Sequence, residues 1–227
     1  KKFSKTAESS IKDVVGILKL EWPHITAGPS PELTGKLNSL IRSRALAALE
    51  AGGKPYASPE ALFGEFRKAF LDSLKDSPLP APWGMDRILT VAEAPNRTCS
   101  VTEALYAYTG GAHPNSSTTH HVFMEGQGRL KLEDLCRPGK LPALVKAGEP
   151  LFRQARKIPA GESFGQHGFW LDDGFKLNQN FRFTGEGLEF CFNPYEIGPY
   201  VLGATTFTIP WAALKGILRP ELLARGK

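Results

Sequence analysis

The spacing of apolar residues changes along the chain, and with it the predicted element. Ile11 to Trp22 reads as a strand: Leu18, Leu20 and Trp22 alternate with Lys19 and Glu21. Pro23 and the Gly28-Pro29-Ser30-Pro31 cluster close it. From Pro31, Leu33, Leu37, Leu40 and Ile41 fall on one helical face, and Gly52-Gly53 is expected to end that helix. Ser58-Pro59-Glu60 supplies an N-cap, a first-turn proline and an acid at the positive helix end. Phe63, Phe66, Phe70 and Leu74 form the buried stripe of this second helix, which Pro78, Pro80 and Pro82 stop.

From Arg87 the period becomes two. Ile88, Leu89 and Val91 start a strand, Asn96 turns it, and Thr98 to Tyr108 returns. On that return Val101, Leu105 and Ala107 share one face, with Thr102, Ala104, Tyr106 and Tyr108 on the other. Thr118 to Glu125 reads as a further strand, and Gly126-Gln127-Gly128 turns it into Arg129 to Leu132. A short helix is predicted at Leu132 to Cys136, then another carrying Leu141, Leu144 and Val145, which Pro150 interrupts or restarts. Asp172-Asp173-Gly174 is a turn. Phe181 to Thr184 and Leu188 to Phe192 form a hairpin through Gly185-Glu186-Gly187. Thr205 to Ile209 is the last strand, and Pro210-Trp211 opens a helix bearing Leu214, Ile217 and Leu218. The expectation is α+β: helices packed beside a mainly antiparallel sheet, in two interlocked subdomains. Residues 1–86 form a strand-plus-helices part, and residues 87–227 a sheet-rich part.

Composition adds little to this picture. The chain has 227 residues, 41% hydrophobic and 22% charged, as in ordinary globular proteins. Fourteen Phe against two Met point to a core of rigid rings. The net charge of +5 comes from Lys and Arg scattered among acids, which reads as a mixed solvated surface and not as a nucleic-acid footprint. Cys99, Cys136 and Cys191 lie far apart and without a C-x-x-C spacing; a disulfide among them is left open. No apolar run reaches membrane-span length, so no transmembrane segment is expected. The chain opens on Lys1-Lys2 without Met, as a processed or trimmed chain does, so a missing leader is no argument for the cytoplasm.

Candidate chemistry is sparse. His113, His120, His121 and His167 invite a metal reading. On a strand, however, His120 and His121 point to opposite faces, and no helix-spaced ligand pair exists, so no metal site is expected. Asp172-Asp173, Glu186 and Glu189 adjoin turns, where acids serve local hydrogen bonds. No nucleophile elbow or phosphate loop is present. Asn96-Arg97-Thr98 and Asn115-Ser116-Ser117 match the glycosylation pattern.

Two loops stand out. One joins Tyr106 and Tyr108 to Thr109, Gly110, Gly111, Ala112, His113, Pro114 and Asn115. The other runs Phe192-Asn193-Pro194-Tyr195-Glu196-Ile197-Gly198-Pro199-Tyr200. Four of the five tyrosines sit there, Tyr56 being the other. Tyr is amphipathic and loses little entropy when immobilised, so it suits a recognition surface, while a clasp tying down backbone groups is the structural alternative. The predicted binding residues are Tyr106, Tyr108, Thr109, Gly110, Gly111, His113, Asn115, Tyr195, Glu196, Pro199 and Tyr200. The loops are expected side by side at one sheet edge, with Glu196 and His113 able to meet each other or a partner.

Tyr108-Thr109-Gly110-Gly111-Ala112-His113 and Tyr195 through Gly203 resemble segments of a bacterial extracytoplasmic domain family. It includes the sensor domain of the RsiV anti-sigma factor and the accessory domain of some peptidoglycan deacetylases. Gly128 to Leu135, Asn180 to Phe192, Thr208-Ile209-Pro210-Trp211 and Leu18 to Pro23 extend the resemblance over most of the chain. Pro114 departs from it, standing where many relatives have Gly. The resemblance implies an exported or lipid-anchored periplasmic or envelope protein without a cofactor. Its implied role is non-catalytic binding or sensing of a protein, as the sensor relative binds lysozyme, or of a peptidoglycan-related ligand. A lipid anchor would lie outside this chain. The competing reading is an envelope hydrolase or deacetylase acting through His113 with a nearby acid.

Overall fold

A computed structural model describes the chain except residues 29, 51, 76 and 224–227. Pro29 of the predicted Gly-Pro-Ser-Pro break therefore lies outside the described residues. The fold is α+β, with a six-stranded mixed sheet in the order β1-β2-β3-β4-β5-β6 and a three-stranded antiparallel sheet β7-β8-β9. The strands are β1 (Lys2–Ala7), β2 (Gly16–Glu21), β3 (Trp83–Glu93), β4 (Thr98–Tyr108), β5 (Asn115–Met124), β6 (Gly128–Arg129), β7 (Phe181–Phe183), β8 (Gly187–Phe192) and β9 (Thr205–Pro210). The helices are α1 (Pro31–Ala45), α2 (Pro59–Lys75), α3 (Leu141–Arg156) and the single turn α4 (Trp211–Leu214). The chain forms two compact units, Lys1–Thr90 with Glu103–Ser117, and Val91–Thr102 with Thr118–Lys227.

In the first unit β1 pairs antiparallel with β2, and β2 pairs in parallel with β3. A parallel pair needs a long crossover, which α1 and α2 supply. Strand β1 has no counterpart in the sequence reading. Only Ala7 of it is buried, so the edge strand carries no alternating apolar signal. Helix α1 begins as expected, with the Ser30 hydroxyl accepting from Leu33 N at 3.3 Å. It stops at Ala45, well before Gly52. The reason is tertiary: Arg87 donates from Nη1 to the carbonyls of Ala45 (3.2 Å) and Ala47 (2.9 Å), so the helix end is satisfied without a glycine turn. Helix α2 buries Leu62, Phe66 and Phe70, while Phe63 and Leu74 sit at the half-buried margin. Phe66 and Phe70 hold Trp83 at centroid distances of 6.0 and 5.8 Å, closing a core with Leu18, Leu20 and Met85.

The second unit is built on phenylalanine. Phe152 on α3 is fully buried at the centre of a ring cluster over β8 and β9. Pro150 neither interrupts nor restarts α3, which is continuous through it. Leu144, Gly148 and Phe152, four residues apart, bury one face against β9. Gly148 permits this close approach: a Cβ there would lie 3.2 Å from Leu177 and 3.4 Å from Ile209. Burial thus outweighs the hydrogen bond that proline removes. The predicted closing helix is also corrected. It ends at Leu214; Gly216 turns the chain at φ 76°, and Leu218 forms a bridge to Cys136. Arg219 N then donates to Leu135 O at 3.0 Å and Asn96 Nδ2 to Leu222 O at 3.0 Å.

Candidate functional site

The first loop belongs to the first unit and spans the end of β4 to the start of β5. Gly110 and Gly111 have φ of 86° and 94°, a consecutive left-handed pair that side-chain-bearing residues adopt at a cost. The Tyr108 hydroxyl donates to Gly111 O at 3.2 Å, pinning the turn to its own strand. His113 donates from Nδ1 to Pro114 O at 2.9 Å, which ties the ring to its own loop. Tyr106, Thr109, Gly111 and Asn115 are exposed, and Tyr108, Gly110 and His113 are half-buried.

The second loop belongs to the second unit, and polar clamps hold it. Asn193 Oδ1 accepts from Thr118 N at 2.7 Å, while its Nδ2 donates to Thr118 O and Glu196 Oε1, both at 3.0 Å. Asn178 donates to Cys191 O (2.8 Å) and Glu196 Oε2 (2.9 Å). Asn180 accepts from His120 N at 2.8 Å and donates to Thr118 O at 2.7 Å. The Glu196 carboxylate is thus occupied at both oxygens by amides of its own unit. Gly198 is buried, and a Cβ there would meet Leu202 at 2.8 Å and Gly168 O at 3.3 Å. Trp170 N donates to Ile197 O at 2.8 Å.

On this frame Tyr195 takes a left-handed φ of 69°, and its ring stands 5.8 Å from that of Tyr200. Tyr195 is 52% exposed, Trp170 58% and Val201 86%, and Pro199, between Tyr195 and Val201, is half-buried. The sequence reading found the tyrosines but not Trp170, nor the three asparagines that set the loop. Single polar residues at strand ends carry no periodic signal, so nothing in the local pattern marks them.

The other candidates have local roles. His167 Nε2 lies 2.6 Å from Glu162. Asp172 and Asp173 sit in a turn closed by Gly174 N to Leu171 O at 3.0 Å. Asn96 is buried and hydrogen-bonded, so its carbohydrate-acceptor pattern is not accessible. All three cysteines are free thiols, and burial raises the pKa of each. Among the described residues no three His, Cys, Asp or Glu side chains converge as metal ligands, and no helix is long and apolar enough to cross a membrane.

His120 is buried, with Nδ1 2.9 Å from the Thr102 hydroxyl. Burial first, then the nearby Arg182 charge, lowers its pKa to about 4, against the opposing pull of Glu189. Its Nε2 stands 3.9 Å from Glu189, which is not an ion pair while the ring is neutral. The unfolded chain binds this proton near pH 6.5 and the folded chain only near 4. Stability therefore falls as pH drops from about 6.5 to 4, by about 2–3 kcal/mol in all. His120→Asn should flatten that part of the urea-midpoint profile; an unchanged acid slope would show that another group causes it.

Residues 133–212 match the family model described as "Protein of unknown function (DUF3298)". This segment carries a DUF3298 match. It contains Tyr195, Glu196, Pro199 and Tyr200 but none of the first-loop residues. Two solved structures described as members of DUF3298 resemble the whole chain. One, from Pseudomonas aeruginosa PAO1, has a TM-score of 0.72 at 20% identity and covers 100% of this chain and 95% of its own. The other, from Bacteroides fragilis NCTC 9343, has a TM-score of 0.72 at 18% identity and covers 97% and 92%. At such identities the likeness is one of fold. No curated protein matches the chain.

Proposed function

We propose that this chain is a non-catalytic bacterial cell-envelope module that binds or senses a protein ligand through its aromatic loops. The observation that carries the reading is Tyr195. A bulky side chain is held at φ 69° and left 52% exposed beside Tyr200, on a loop whose polar groups are fixed by Asn178 and Asn193. A stiff loop presenting tyrosine loses little entropy on binding. Tyr106 offers a second exposed ring on the first unit. The resemblance of Tyr108–His113 and Tyr195–Gly203 to the RsiV sensor domain supports an extracytoplasmic location and makes a lysozyme-like protein the first ligand to test.

Immobilised chain is expected to capture lysozyme, with purified peptidoglycan as the second probe. Tyr195→Ala should weaken capture at least about tenfold, the scale of an interface hot spot, and shift stability by under about 1 kcal/mol because the ring is exposed. Capture of peptidoglycan alone would redirect the proposal to a glycan ligand. Capture of neither, or equal capture by the variant, would overturn it.

A further inference from the structure

The second unit also carries a cleft outside both loops. This cleft of about 540 Å³ lies between β5, β6 and the segment entering β7, within the size range of small-molecule sites. Its floor is apolar, made by Val122, Leu130 and Phe181 with the His120 ring at one side. Its rim carries two cations, Arg129 and Lys131, both exposed.

The wall is built, not collapsed. Leu130 N donates to Val122 O at 2.8 Å, and Leu132 N donates to the Gln179 side-chain oxygen at 2.8 Å. Gln179 donates from its amide nitrogen to Glu133 at 2.9 Å, which fixes the one carboxylate among the lining side chains without cancelling its charge. The Lys131 ammonium makes no ion pair with any described residue. The cleft thus combines satisfied backbone, an apolar floor and two cationic lining side chains against one carboxylate.

We infer that this cleft binds a small ligand with an oxyanion head and an apolar body, the simplest member being a carboxylate on a short aliphatic chain. The apolar body covers Val122, Leu130 and Phe181, and the head meets Lys131 and Arg129 at the rim. A cationic ligand is disfavoured by the same two side chains, and a wholly apolar one leaves Lys131 without a partner.

The probes are octanoate and its neutral amide, octanamide, titrated into the full chain and followed by amide NMR shifts. Octanoate is expected to shift the Leu130, Lys131 and Gln179 amides saturably below about 10 mM. Octanamide should bind at least about fivefold more weakly. Lys131→Gln should weaken octanoate by a similar factor and leave octanamide unchanged, while Lys131→Arg retains octanoate binding. Lys131 is exposed, so neither variant endangers folding. No saturable shift at those amides, equal binding of the two probes, or octanoate binding indifferent to Lys131→Gln would each overturn the inference. None of these outcomes bears on the aromatic loops, since no loop residue lines the cleft.

Discussion

Phe152→Ala is expected to cost the second unit about 3–5 kcal/mol, a large fraction of a domain's total stability. The ring is fully buried and has five aromatic neighbours: Phe175 at 5.1 Å, Phe169 at 5.3 Å, Phe164 at 5.7 Å, Phe192 at 5.9 Å and Phe207 at 6.0 Å. Those neighbours come from β8, β9 and the 164–175 segment, so the cavity is walled by elements that cannot all close on it at once. Phe152→Leu, which leaves a smaller void, should lose about half as much. Amide exchange read at β8 and β9 is the measurement, because it reports this unit directly. Protection there that survives Phe152→Ala within about 1 kcal/mol would show that the cluster repacks around the loss.

Glu103→Gln should destabilise the first unit by a comparable amount, about 3–5 kcal/mol, although it removes only a charge. Glu103 is 4% exposed on β4, and its carboxylate receives Arg44 Nε at 2.6 Å and stands 3.4 Å from Arg87 Nε. Arg87 is itself 3% exposed, and burial pulls its pKa down while Glu103 holds it up. That 3.4 Å contact has the separation of an ion pair without the angle of a hydrogen bond, so the charge of Glu103 carries the interaction with Arg87. The amide of Gln leaves Arg87 charged and uncompensated in a low-dielectric site. Glu103→Leu combined with Arg87→Met should recover much of the loss, since an apolar pair replaces a buried ionic one. A loss below about 1 kcal/mol on Glu103→Gln, read from amide exchange in β2 and β3, would mean that solvent already screens the pair.

These two sites differ in how far the sequence revealed them. The Phe content and the alternation in β8 and β9 pointed to an aromatic core, and β4 was legible from end to end. Glu103 was not, because an acid on the inward face of a strand reads as an interruption until its arginines are in view. Arg87 hid for the same reason, and with it the true end of α1, which a side chain 42 positions beyond Ala45 determines. Strand β1 was invisible because an edge strand with one buried residue has nothing to alternate. In the loops, Gly110-Gly111 announced its left-handed backbone, and Tyr195 and Tyr200 announced their surface. The amides of Asn178, Asn180 and Asn193 did not, since a hydrogen-bonding role depends on where β5 runs, which no local pattern encodes.

The course of the chain through its two units has a consequence for anyone who would divide it. The polypeptide leaves the first unit after Thr90, returns at Glu103 and leaves again after Ser117. Neither unit is therefore a contiguous stretch of gene. A fragment stopping at residue 90 omits Glu103 and strands Arg87, and one limited to 133–212 lacks Thr118, on which Asn180 and Asn193 converge. Insertion, deletion or shuffling at a single junction cannot transplant either unit intact, so the two are inherited, and lost, together.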